Sequence, residues 1–218
     1  MHTKAQNTIA LFIENQFYHV YNRANGDDKL FYTDANYLYF LEKLNSYVSA
    51  FVEIYAYCLI PNHFHLLIKV KDIIPTLTPV RFTKLISPEK KEPNKPDMWN
   101  SIITQAFSNF FNCYAKSINR QENRSGSLFD KPFKRKLIDT EEYLKMIIIY
   151  THVNPIHHQI TQSFENYRWS SYKALLDNQP TKLPRKTIYD IFEGRDRFIE
   201  DHRNAKINYL EIAKYSLE

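Results

Sequence analysis

With 218 residues, 44% of them apolar and 24% charged, the chain has the make-up of a globular protein with one substantial core rather than of a disordered tail. Three glycines are too few for a Gly-rich phosphate-cradling loop, and neither G-x-x-x-x-G-K followed by Ser or Thr nor G-x-G-x-x-G occurs, so a nucleotide cofactor is not expected. The net charge of +5 is modest, yet between Lys116 and Lys136 seven cations (Lys116, Arg120, Arg124, Lys131, Lys134, Arg135, Lys136) face only Glu122 and Asp130; a polyanion such as nucleic acid is the expected partner, a solvated basic face the alternative.

The two cysteines, Cys58 and Cys113, lack metal-finger spacing. No secretory stretch opens the sequence, and no apolar run approaches the roughly 20 residues of a membrane helix. The expectation is a cytoplasmic protein with no membrane partner.

In chain order, Phe17 to Asn22 alternates and is β-prone, a turn follows at Asn25-Gly26, and a helical pattern runs from about Asp34 to Ala50. Phe51 to Ile60 and His63 to Val70 read as an antiparallel hairpin turning at Pro61-Asn62. Residues 71–98 hold five of the ten prolines and read as an insertion, with a short helix around Val80 to Ile86. An amphipathic helix is predicted over Trp99 to Arg120, with Ile103, Phe107, Phe110, Tyr114 and Ile118 on one stripe. Arg124 to Lys136 is a basic turn and strand. Thr140-Glu141-Glu142 starts a helix expected to run to about Val153 and to stop before Pro155. The tail beyond about residue 160 has two or three short helical patterns.

Two groups of residues carry chemistry. His63 and His65 alternate with Phe64, Leu66, Ile68 and Val70, so a strand projects both imidazoles from one face while the other enters a core. Two such imidazoles can hold one metal ion, or can simply be hydrogen-bonded; a zinc-protease H-E-x-x-H is absent. Tyr150 and Asn154 are four apart and share a helical face. A phenol with its pKa near 10 needs help to attack a phosphodiester, and a divalent cation on the scissile phosphate supplies it. Packing of Tyr150 at a helix end is the alternative.

The segment Tyr57-Cys-Leu-Ile-Pro-Asn-His-Phe-His-Leu-Leu-Ile68, with Tyr18-His-Val-Tyr-Asn-Arg23 upstream and Arg124-Ser-Gly-Ser-Leu-Phe129, Tyr150-x-His-x-Asn-Pro155 and Trp169-Ser-Ser-Tyr172 downstream, resembles the REP-associated tyrosine transposases. These are single-tyrosine transposases of the HUH endonuclease superfamily. The resemblance implies an α+β fold, an antiparallel sheet with flanking helices of the ferredoxin-like or RRM-like kind. It implies a catalytic domain over 1–160, interrupted by the 71–98 insertion, and a helical C-terminal extension over 161–218. It makes His63 and His65 metal ligands for Mg2+ or Mn2+, Asn154 the third ligand, and Tyr150 the nucleophile that leaves a 5′-phosphotyrosine. The implied substrate is single-stranded or hairpin DNA, the protein acting as monomer or homodimer. A DNA-binding protein of the same fold without the chemistry, or a metal phosphodiesterase that uses water, are the competing classes.

Among the remaining residues, Arg120, Arg124, Lys131, Lys134 and Arg135 are expected to contact phosphates. Tyr114 is the rival nucleophile, although its apolar stripe favours the core. His19 reads as a hydrogen-bonded strand histidine, His152 as lying on the opposite side of its helix from Tyr150, and His157 and His158 as surface groups. Trp169 and Tyr172 read as anchors for the tail.

Overall fold

A computed structural model of the chain describes residues 9–72, 96–130 and 132–207. The expected helix at Val80 to Ile86, most of the proline-rich insertion, and Lys131 lie outside the described residues. Four strands, β1 (Phe17–Arg23), β2 (Val52–Ile60), β3 (His63–Val70) and β4 (Lys134–Ile138), form one sheet in the order β2-β3-β1-β4. All three pairings are antiparallel. The expected β2–β3 hairpin is present, turning at Pro61 and Asn62, and β1 adds to its other side. The fold is therefore α+β, with helices against both faces of the sheet.

The strand alternation explains the two layers. On one face Tyr18, Val20, Phe64, Leu66, Ile68 and Val70 meet α1 (Asp34–Val48) and α2 (Pro96–Gln121) in an aromatic-rich core. Asn36 organises the start of α1, its Oδ1 accepting the backbone N–H groups of Tyr32 and Thr33 at 3.0 Å each. On the opposite face Tyr55, Ala56, Leu67 and Ile138 meet α3 (Glu141–His157). Outside it pack Phe164, α4 (Tyr172–Leu176), α5 (Arg185–Ile191) and α6 (Arg195–Ile207).

Both sheet edges are partly covered, which shortens the unpaired rows that invite edge-to-edge association. Ile9 and Ala10 lie along the outside of β4, the Ala10 N–H donating to Arg135 O at 3.1 Å. Trp169 to Ser171 lie along β2, where the Leu59 N–H donates to Trp169 O and the Ser171 N–H to Tyr57 O. Trp169 stacks on Tyr37 at 4.3 Å between ring centroids.

Contrary to the expected stop before Pro155, α3 continues through that residue to His157. Thr140 caps its start, accepting the Tyr143 N–H at 3.1 Å. Pro155 sits in the last turn, where its missing N–H forfeits the bond to Thr151 O, and the helix closes just beyond it. Gln159 adopts φ 55°, and the N–H groups of Ile160 and Gln159 donate to Pro155 O and Ile156 O at 2.8 and 2.9 Å. That is the double bond of a Schellman stop. Asn154 consequently remains helical, one turn beyond Tyr150.

Phe40 is fully buried at the centre of the first core, within 5.2 Å centroid to centroid of Phe31, Phe64, Phe110 and Tyr114. Phe40→Ala is expected to cost about 3–5 kcal/mol of unfolding free energy in urea titrations; a loss under about 1 kcal/mol would show that this core does not hold the domain together.

Candidate active site

The site is built in rows across the sheet face that α3 covers. Strand register places Cys58, His65, Tyr21 and Lys134 side by side, one from each strand. The neighbouring row is Ala56, Leu67, His19 and Lys136, and on the other side Ile60, His63 and Arg23 form a third. Residues directly opposite in antiparallel strands share a face. Every one of these therefore points toward α3 or toward the open edge of the same surface.

α3 lies along this face with Tyr150, Asn154 and His158 on one stripe at four-residue intervals. The Tyr150 ring stands edge-on to His65 with centroids 5.3 Å apart, and His158, which caps the helix, stands edge-on to His63 at 4.3 Å. Asn154 occupies the helical turn between them. The structure thus brings Tyr150 to His65 and His158 to His63, with Asn154 on the same helical stripe between Tyr150 and His158. Of the residues expected at the site, His63, His65, Tyr150 and Asn154 are all buried: 4, 1, 0 and 0% exposed, respectively.

Hydrogen bonds orient both histidines by the same ring nitrogen. His63 Nδ1 is 2.9 Å from Asn62 Oδ1, an acceptor, so it carries the proton and leaves Nε2 with the lone pair. His65 Nδ1 is 2.9 Å from His19 Nε2. Asn154 is the odd member: neither its Oδ1 nor its Nδ2 has a hydrogen-bond partner among the described residues, although both are buried. A buried amide left this way costs about 1–3 kcal/mol. A divalent cation accepting Oδ1 as a ligand beside two imidazoles fits this donor set. Among the described residues no three His, Cys, Asp or Glu side chains converge on a common point, so such a cation needs the amide and outside ligands.

Histidine 152 does point away from Tyr150, and its surroundings determine where α3 sits. His202 Nδ1 donates to Phe198 O at 2.7 Å, so His202 Nε2 can only accept, and it accepts from His152 Nδ1 at 2.8 Å. His152 Nε2 then accepts from Ser171 Oγ at 2.7 Å, and Ser171 Oγ accepts the Tyr57 N–H at 2.9 Å. With both rings neutral, the Phe198 carbonyl at one end and the Tyr57 N–H at the other set the direction of these bonds, Ser171 Oγ lying also 3.3 Å from Tyr57 O. Burial keeps both imidazoles neutral. Burial holds His152 well below the usual histidine range, with His202 adding to the effect. It also lowers His202 to about 3, against the hydrogen bond to Phe198.

No protein-family model matches the sequence, and no curated protein matches it. Among solved structures, the chain is similar to a REP-associated tyrosine transposase bound to a REP hairpin, with a TM-score of 0.49 and 13% identity over 83% of this chain and 89% of that one. A likeness at that level says nothing about chemistry, which has to be read from the side chains.

The expected phosphate contacts separate. Arg120 is exposed near the end of α2. Arg124 is partly buried and tied to Asp28 and to Asn119 Oδ1. Lys134 shares the face of Tyr21, its ammonium 5.8 Å from that ring's centroid. Arg135, one residue on, points to the opposite face: it is 5% exposed, donates from Nε to Ala10 O, and lies against Phe12 and Phe133. Strand alternation within β4 is the reason, and it argues against Arg135 as a phosphate contact. Tyr114 is also set aside as a nucleophile. Its hydroxyl donates to Leu30 O at 2.7 Å, and burial pushes the phenol far above its ordinary value.

Three residues on the site face were not selected from the sequence. Arg23 is exposed and directly opposite His63, Lys136 is directly opposite His19, and His158 touches His63 rather than standing at the surface. Extending the β1 alternation from Phe17 through His19 and Tyr21 would have found Arg23. No local signal marks His158, because its position depends on α3 passing through Pro155.

The neutral histidine chain has a pH signature. Unfolded histidines titrate near 6.5, whereas the folded pair does so well below, so stability is complete above about pH 6.5 and falls as pH drops toward the folded values. The loss approaches about 1.4 kcal/mol per pH unit for each histidine. Urea titrations between pH 7 and 4.5 should show a smaller acid loss for His202→Phe than for the wild type; identical pH slopes would refute the neutral pair.

Proposed function

We propose that the protein is a metal-dependent single-stranded DNA endonuclease and strand transferase, transposase-like in its chemistry, that forms a covalent 5′-phosphotyrosine through Tyr150. The observation that carries this reading is the single stripe on α3 that sets the Tyr150 ring against His65 and His158 against His63, with Asn154, whose buried amide has no hydrogen-bond partner among the described residues, on the turn between them. The sequence motifs that point to the same chemistry occupy these same positions. DNA in single-stranded or hairpin form is the substrate, and Mg2+ or Mn2+ the cofactor, nitrogen ligation suiting manganese well.

His63, His65 and Asn154 would hold the cation, which when bound withdraws charge from the scissile phosphate and helps orient it. Tyr150 Oη attacks phosphorus; the new O–P bond forms as the bond to the 3′-oxygen breaks, and the phenolic proton is balanced by the one the 3′-hydroxyl acquires. One phosphodiester is exchanged for another, so rejoining needs no nucleotide cofactor. Because Tyr150 is 0% exposed, the phosphate reaches it only when the surface over α3 and β3 opens. Arg23 and Lys134 lie on the same face and would guide the strand's phosphates.

An end-labelled single-stranded hairpin incubated with protein and manganese, then denatured, tests this directly. The wild type is expected to give a covalent adduct that Tyr150→Phe and EDTA both abolish, with Tyr114→Phe retaining it. Cleavage without an adduct would identify a water-using phosphodiesterase, and binding without cleavage a DNA-binding protein of this fold. For DNA affinity, Arg23→Ala and Lys134→Ala should each lower the slope of log affinity against log salt by about 0.7 per lost phosphate contact; unchanged slopes would place the strand elsewhere.

A further inference from the structure

The ring of His19 is held more tightly than a strand side chain needs for packing. It stacks on Tyr21 at 4.9 Å and on His65 at 5.1 Å, meets the Tyr150 ring edge-on at 6.1 Å, and is fully buried. Its Nε2 reaches His65 Nδ1 at 2.9 Å. The two residues are not directly opposite: His19 pairs with Leu67 and His65 with Tyr21. The contact is therefore a diagonal one across β1 and β3, made by the rings alone.

We infer that His19 is a positioning residue, accepting the Nδ1 proton of His65 and thereby fixing the tautomer in which His65 Nε2 carries its lone pair toward α3. This rests on the metal-dependent reading above. Only one proton lies between the two nitrogens. If it belonged to His19, a neutral His65 would carry its remaining proton on Nε2 and could not ligate through that atom. If it belongs to His65, the imidazole presents Nε2 in the same sense as His63, whose Nδ1 proton goes to Asn62 Oδ1. Each strand histidine is then oriented through Nδ1 by a separate neutral acceptor, one from the preceding residue and one from the neighbouring strand.

The neutrality of both acceptors suits the substrate. Metal-bound histidines commonly donate to a carboxylate, carbonyl or water. A carboxylate at the His19 position would place a negative charge beside a phosphodiester that the site must admit. An imidazole orients His65 without that repulsion, and its flat ring lies against both Tyr21 and His65.

Two variants separate positioning from packing. His19→Phe keeps an aromatic ring of similar shape but has no acceptor, whereas His19→Gln places an amide oxygen near the former Nε2. Histidine 15N NMR of the metal-free protein reads the His65 tautomer, and calorimetric titration with Mn2+ reads affinity without DNA or turnover. The wild type and His19→Gln should show His65 protonated on Nδ1. His19→Phe should lose that preference and bind Mn2+ about 10–100-fold more weakly. A wild-type His65 protonated on Nε2, a His65 tautomer unchanged in His19→Phe, or equal weakening by both variants while both stay folded would overturn the inference. A wild type that binds no Mn2+ would instead sink the metal-dependent function, and the His65 tautomer in metal-free protein would still decide the role of His19.

Discussion

The docking of α3 onto the β2–β3 hairpin is the constraint on which the site depends, and a chain of neutral hydrogen bonds specifies it. From Phe198 O to the Tyr57 N–H, hydrogen bonds link His202, His152 and Ser171 in turn. The chain joins α6, α3, the segment along the sheet edge and β2. Apolar burial by Leu144, Ile147, Ile148 and Val153 supplies the general attraction, but it is non-directional. The buried polar chain adds the rotational setting of the helix, since a turn about its axis would leave several buried groups without partners. With His152 fixed on one side, Tyr150 and Asn154 are presented on the other.

The sheet makes the complementary half by alternation. Because β1 lies beside β3, the period of two that sends Tyr18, Val20, Phe64 and Leu66 into the first core also sends His19, Tyr21, His63 and His65 to the other face. A one-residue slip would reverse both sets. Core packing and site geometry are thus maintained by the same register. The same rule divides β4, where Lys134 and Lys136 accompany the histidines and Arg135 is drawn beneath the N-terminal segment. Charge in a sequence becomes a binding surface only after the strand has sorted it by face.

Several elements were legible because their determinants are local. The β2–β3 hairpin follows from two β-prone runs around Pro61-Asn62, the start of α3 from Thr140, and the apolar stripe of α2 from its own spacing. The end of α3 was misread because Pro155 is a helix-stopping signal judged by its own chemistry. Here the stop after it, with Gln159 in the left-handed region, closes the helix two residues later. His158 was misplaced for the same reason, as it gains its contact with His63 only if the helix runs on.

By itself the sequence determined the candidate chemistry: two histidines on one strand face, and a tyrosine and an asparagine on one helix face, each pair set by a backbone period that needs no tertiary information. It also determined that strands and helices would be mixed. The tertiary structure alone decided that these two faces meet, that β1 brings His19 to His65, and that Arg135 turns inward. These are contacts between residues far apart in the chain, selected by simultaneous burial of two cores and by the partners that buried polar groups require.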